Sequence, residues 1–147
     1  MVDITGKPES YREATARGRI RLKPETVKRI KDGKIEKGDP IYAARIAGIL
    51  AAKNTSGLIP LCHPIPITNI KIDVKIHEPD IVEVESTVKT KSQTGVEMEA
   101  LLATAIALLT IWDMTKQYEK DSRGQYPRTL IENIMVIRKI KRGVKNE

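Results

Sequence analysis

The feature that most constrains this chain is a two-residue alternation of apolar and polar side chains that recurs along it. In residues 12–22, Ala14, Ala16, Gly18, Ile20 and Leu22 alternate with Glu13, Thr15, Arg17, Arg19 and Arg21. In residues 69–77, Ile70, Ile72, Val74 and Ile76 alternate with Lys71, Asp73, Lys75 and His77. Residues 81–90 continue the pattern with Val82, Val84 and Val88, interrupted by Ser86, and residues 131–140 carry Ile134, Val136 and Ile140. Successive side chains of a strand point to opposite faces, so each segment reads as a strand with one buried face. Glu78-Pro79-Asp80 breaks the pattern between the second and third segments and predicts an antiparallel hairpin.

Between these segments the pattern turns helical. Pro24 opens a short surface helix that Gly33 ends. Asp39 is placed to cap a second helix over residues 40–53, with Pro40 in its first turn. Ile41, Ala44, Ile46, Ala47, Ile49 and Leu50 are expected to form its broad buried face, and its small residues permit close approach of another backbone. Residues 58–66 hold three prolines, one cysteine and one histidine, which predicts a rigid irregular loop. Thr94-Gly95 leads into a long helix over residues 96–119, and Gly124 and Pro127 mark the loop before the last strand.

The resulting order is βαββαβ: an α+β, ferredoxin-like sandwich with an antiparallel sheet and helices packed on one face. We read residues 1–147 as a single domain, because two cores of about 70 residues each would be marginal. The open sheet face and the alanine-rich helices favour a subunit contact.

Charge and cysteine content narrow the function. Against 26 Lys and Arg stand 19 Asp and Glu, a net charge of +7 that suits an anionic partner. With Cys62 alone, neither an intramolecular disulfide nor a multi-cysteine metal site is available. The apolar run 100–112 is shorter than the roughly 20 residues that span a bilayer, and residues 1–10 are polar. The expectation is a cytoplasmic protein without a membrane partner. The chain has no Phe, one Trp and four Tyr, and the tyrosines do not fall on the inner strand pattern. RNA-binding sheets of this topology use stacked aromatics, so no nucleic acid partner is expected.

Several residues could carry chemistry. Asp113 and Lys116 are three apart and share a helix face. Glu99 lies 14 residues earlier, which returns it to within roughly 40° of the same direction. All three should therefore lie along one side of an otherwise apolar helix; a salt-bridged helix end is the plainer reading of the same spacing. Other cations nearby could make Lys116 a proton carrier closer to neutral pH than a free lysine. His63 sits in a rigid loop that could hold its imidazole toward a substrate, or it could be satisfied locally by backbone. Cys62 reads as a small buried residue and His77 as a surface residue of the hairpin end. Lys37-Gly38-Asp39 precedes a helix N-terminus, where free N–H groups favour anions. The basic residues Arg17, Arg19, Arg21, Lys139, Lys141 and Arg142 read as solvated edges.

Taken together the motifs are far more specific than any one alone. They run Lys37-Gly38-Asp39, Ala44-Arg45-Ile46-Ala47-Gly48-Ile49, Ala51-Ala52-Lys53, Leu58-Ile59-Pro60-Leu61-Cys62-His63-Pro64, Thr94-Gly95-Val96-Glu97-Met98-Glu99-Ala100-Leu101, and Leu109-Thr110-Ile111-Trp112-Asp113-Met114 with Lys116. This set, with the opening Met1-Val2-Asp3, closely resembles the cyclic pyranopterin monophosphate synthase family, the C proteins of molybdenum cofactor biosynthesis. The resemblance covers nearly the whole chain in order. It implies a ferredoxin-like subunit in a homohexamer, a trimer of dimers with active sites at subunit interfaces. It implies a lyase of the phosphorus–oxygen type that converts 3′,8-cyclo-7,8-dihydroguanosine 5′-triphosphate to cyclic pyranopterin monophosphate and releases pyrophosphate. It implies no built-in cofactor or protein-held metal, with magnesium as a possible companion of the triphosphate.

Carried over residue by residue, the catalytic aspartate falls on Asp113 and its partner lysine on Lys116. Substrate-binding positions fall on Leu61, Cys62, His63, Glu97, Met98, Glu99 and Lys37, and also on Lys139 in the last strand, Arg12 in the first and Asp3 near the N-terminus. The chain departs from the family pattern in its last strand, which continues as Ile140-Lys141-Arg142-Gly143 where bacterial members often end in a Gly-Gly-Lys-Ser-Gly tail; Trp112 also replaces the usual tyrosine before the aspartate, and the loop 121–129 looks longer.

Overall fold

The computed structural model describes residues 1–143 of the chain. Its elements are β1 (Ser10–Arg21), α1 (Pro24–Lys31), α2 (Pro40–Lys53), α3 (Thr55–Leu58), β2 (Ile67–His77), β3 (Ile81–Ser92), α4 (Glu97–Glu119) and β4 (Leu130–Gly143). The strands form one sheet in the order β2-β3-β1-β4, every neighbouring pair antiparallel. This is the ferredoxin-like α+β arrangement, with α3 as an added short turn of helix before the proline loop.

The alternation decides which face is covered. Ala14, Ala16 and Ile20 of β1 and Val82, Val84 and Val88 of β3 are buried under the helices. Across β1 and β3 runs α4, reaching β4 as well, and α2 lies beside it against β2. Gly18 fixes how near α4 sits to β1, because a Cβ there would come within 2.8 Å of Leu108 Cδ1. Gly48 does the same between the helices, where a Cβ would lie 3.1 Å from the Ala103 carbonyl oxygen.

That close crossing corrects the expected face of α2. Its buried residues are the small ones, Ala44, Gly48, Ala51 and Ala52, together with Pro40, while Tyr42, Ile46 and Leu50 are exposed. Branched side chains do not fit between backbones this near each other, so the larger residues, spaced four apart, turn to the free side. The arginines of β1 also differ from expectation. Because β1 is a central strand, Arg17, Arg19 and Arg21 form no edge; they pair with Glu85, Glu83 and Asp80 at 3.0, 2.9 and 2.7 Å across the sheet.

The long helix stands where the sequence placed it and extends beyond its apolar run at both ends. At 23 residues α4 is long and apolar enough to cross a membrane by length and composition. Here Ala100, Ala103, Thr104, Ala107, Leu108, Ile111 and Thr115 are buried, as in a core helix. Its last residue, Glu119, is fully buried and accepts from Lys23 N at 3.0 and 3.1 Å, from the Thr26 hydroxyl, and from Thr129 Oγ1 at 2.7 Å. One carboxylate thereby ties the end of α4 to the start of α1 and to the loop before β4.

Candidate active site

The residues expected to act together fall into two clusters, one at each end of α4. At the C-terminal end, the Asp113 carboxylate lies between two ammonium groups. Lys116 Nζ donates to Oδ1 at 2.8 Å, and Lys37 Nζ donates to Oδ2 at 2.9 Å and to the Asp113 backbone carbonyl at 3.1 Å. Lys37 reaches this point because its turn packs against α4. Ile35 is buried, and Gly38 takes the left-handed φ of +112° that closes the turn before Asp39 caps α2. All three charged side chains remain about half exposed.

This geometry corrects one expectation outright. The hydrogen bonds from Lys116 and then Lys37 hold the Asp113 carboxyl down at about 2. The reciprocal bond to Asp113 raises Lys116 above the ordinary lysine range. Lys116 is therefore a fixed cation in this arrangement, because its nearest charge is an exposed carboxylate rather than another cation.

Burial shapes the N-terminal cluster instead. Glu97 pairs with Lys139, and its carboxylate folds back over Gly95, where a Cβ would overlap it. Burial works to raise the Glu97 carboxyl. The Lys139 hydrogen bond, the helix-start N–H and the charges of Lys139 and Arg12 outweigh that, and the net shift is downward. Glu99, two residues on, is only 3% exposed. Burial raises its carboxyl, the local N–H bond opposes the rise, and the Glu97 charge adds to it. Its Oε2 and the Arg12 Nε are both buried without a partner among the described residues. Arg12 also reaches the Gln93 carbonyl at 3.4 Å.

The proline loop brings Cys62 and His63 to this end. Burial pushes the Cys62 thiol up and the nearby Glu99 charge adds to the effect, so the thiol stays protonated, although Cys62 is half-buried rather than buried as expected. The His63 ring makes no hydrogen bond among the described residues, which removes the reading of a locally satisfied histidine. Asp3 lies near enough to feel the His63 charge, although its carboxyl is lowered mainly by the Thr5 backbone and hydroxyl bonds. Leu61 and Met98 are exposed beside these groups.

The expected single stripe of Glu99, Asp113 and Lys116 is thus divided. Helical rise puts Glu99 and Asp113 about 21 Å apart along the axis, too far for one small molecule to touch both directly. The first is buried and the second exposed. Sequence reasoning also missed the supports of the C-terminal cluster. Tyr118 and Gln117 grip Glu36 beside Lys37, and Tyr126 of the long loop meets Trp112 edge-on with ring centroids 5.5 Å apart. The only sequence signal for the latter was a loop longer than usual opposite an unusual tryptophan.

Comparison with known proteins decides the family. The MoaC family profile matches residues 1–142. The chain belongs to the MoaC family. Among curated relatives, a protein of Pyrococcus furiosus is 57% identical over 96% of this chain and 90% of its own. One of Saccharolobus solfataricus is 58% identical over 96% and 94%, and one of Thermococcus kodakarensis 55% over 96% and 90%. Each bears the name "Probable cyclic pyranopterin monophosphate synthase". Along the MoaC chain the matched region takes in both clusters, from Asp3 to Lys139.

Proposed function

We propose that this MoaC-family chain is a cyclic pyranopterin monophosphate synthase of molybdenum cofactor biosynthesis. It converts 3′,8-cyclo-7,8-dihydroguanosine 5′-triphosphate to cyclic pyranopterin monophosphate and pyrophosphate. The observation that carries this reading is Asp113 held between Lys37 and Lys116. A triphosphate brings about four negative charges and competes for exactly such lysines. When phosphate oxygens take the lysine hydrogen bonds, Asp113 loses the interactions that depress it and becomes a better base beside the reacting group. In the cyclisation a substrate oxygen attacks the phosphorus nearest the sugar and gives up its proton to a base. The bond to the pyrophosphate oxygen breaks, and Lys116 holds the charge that leaves with it, while Lys37 stays on a phosphate that does not react.

The active enzyme is a homohexamer, a trimer of dimers, whose site joins the Asp113 end of one copy to the Glu99 end of another. Supporting this are the separation of the two clusters and the apolar side chains left outside the core: Tyr42, Ile46 and Leu50 on α2, Leu109 on α4, and Ile134 and Met135 on β4. At the Glu99 end, the unpartnered Glu99 Oε2 and Arg12 Nε and the His63 ring offer polar contacts to the purine-derived ring, with Leu61, Cys62, Met98, Glu97, Lys139 and Asp3 around them. No cofactor enters the reading. Magnesium enters only as an ion carried by the triphosphate, and the protein works in the cytoplasm.

Incubation with the cyclised nucleotide, followed by product and pyrophosphate detection, tests the activity directly. A mixing experiment tests the shared site. Asp113→Asn and His63→Asn proteins, each inactive alone, should regain activity when dissociated and reassembled together. If every mixture stays inactive while wild type survives the same treatment, the site lies within one copy.

A further inference from the structure

The turn that carries Lys37 is fixed to α4 at two places. One is the Lys37–Asp113 pair itself. The other lies one helical turn further on and involves no charge pair. The Tyr118 hydroxyl accepts the Glu36 backbone N–H at 2.9 Å, and Gln117 Nε2 donates to Glu36 Oε2 at 3.2 Å. Two consecutive residues of α4 therefore grip the backbone and side chain of the residue next to Lys37. The tyrosine ring is held in turn, with the Arg29 guanidinium of α1 stacked 4.7 Å from its centroid. Glu36 and Lys37 are otherwise exposed. A long lysine on a free turn would lose much rotamer freedom in reaching a phosphate, and pinning the backbone beside it removes part of that cost in advance.

We infer that Tyr118, assisted by Gln117, is a positioning residue for Lys37, holding the turn so that its ammonium group is aimed at Asp113 and at the phosphates that arrive there. This rests on the reading of Lys37 as a substrate-binding residue. The Tyr118 hydroxyl touches no reacting atom; its action passes through the Glu36 N–H. Because Lys37 binds a phosphate alike in ground and transition states, loosening it weakens binding rather than slowing the bound complex.

The test uses full-length Tyr118→Phe, which keeps the ring beneath Arg29 and deletes only the acceptor, and the double variant Tyr118→Phe/Gln117→Ala. Two readouts are needed. The first is 15N relaxation of the Lys37 ammonium group, which reports its mobility without any substrate. The second is the kinetics with the cyclised triphosphate. Tyr118→Phe should make the Lys37 ammonium more mobile and raise KM by about three- to tenfold, the range of one net hydrogen bond, with kcat within about twofold. The double variant should exceed the single in both. An unchanged Lys37 relaxation in the double variant overturns the positioning role whatever the kinetics do. A mobile Lys37 with unchanged KM keeps the positioning role and refutes Lys37 as a substrate ligand. If the variants mobilise Lys37 but wild type never turns over the nucleotide, the proposed function alone is refuted.

Discussion

At the N-terminal end of α4 the Glu99 carboxylate is buried, with one oxygen unpartnered among the described residues; at its C-terminal end Asp113 is exposed and has two partners. Glu99 is enclosed by packing, so its position does not depend on charge, and its carboxyl is raised because burial disfavours the ionised form. Asp113 is placed by its ion pairs, and its carboxyl is lowered by the same lysines that place it. The first end presents a buried carboxylate oxygen and a guanidinium nitrogen that the described residues leave unpartnered. The second must give up contacts it already has. Glu119, a third carboxylate on the helix, shows that burial alone does not make a site: every donor it needs is already supplied by Lys23, Thr26 and Thr129.

The sharpest way to break this comparison is to remove charge from the exposed end. Asp113→Asn and Lys116→Ala should each lower turnover by about 10²- to 10⁴-fold, the usual scale for a positioned acid–base group, while leaving assembly and melting largely unchanged. The double variant should be little worse than either single, because groups acting in one step are not additive. A single variant that melts early yet keeps near-normal turnover would make the exposed cluster a structural ion pair and move the chemistry to the buried end.

A second test exploits the opposite sign at Glu99. Its folded-state carboxyl is raised above the ordinary glutamate value of 4.5, so the stability tied to its protonation is present below pH 4.5 and lost as pH rises through the folded value. Glu99→Gln should therefore raise the melting temperature at pH 8, make little difference at pH 4, and cost activity at both. An equal gain at the two pH values would mean that the benefit is packing rather than relief of a buried charge.

Much of the fold was legible in the sequence, since alternation, proline and glycine punctuation and a long apolar helix each act locally. All four strands and the long helix stand within a few residues of where the pattern put them. The errors came from distances between elements. The small residues of α2 signalled that a backbone could come close, but not that α4 crosses at Gly48, and that crossing sends Ile46 and Leu50 outward. At the site, a helical wheel placed Glu99 with Asp113 because angle is periodic; it ignored the axial rise that separates them. The raised Lys116 was missed for a related reason. The sequence supplies many cations, but only the folded turn shows that Lys37 and Lys116 meet one another across a carboxylate. Tyr118 and Gln117 gave no signal, as their partner Glu36 lies more than 80 residues away.

The smallest effect, and the one that most directly contrasts the two ends, is their response to salt and acid. In dilute buffer Asp113 should remain ionised well below the ordinary aspartate value of 3.8, titrating at about 2. A depressed carboxyl contributes stability above its unfolded value and loses it as pH falls through the folded one, so this contribution disappears between about pH 4 and 2. Because the Lys116 bond is the larger cause, Lys116→Ala should lift the Asp113 midpoint further than Lys37→Ala does. At about 1 M salt the Debye length shrinks to about 3 Å, and exposed charges lose much of their hold on one another. The Asp113 midpoint, followed by carboxyl carbon shifts, should then climb toward 3.8. That of Glu99 should stay nearly where it was, because burial is its leading cause and packing does not respond to ionic strength. If salt moves both midpoints equally, the two ends share one electrostatic environment and the distinction drawn between them fails.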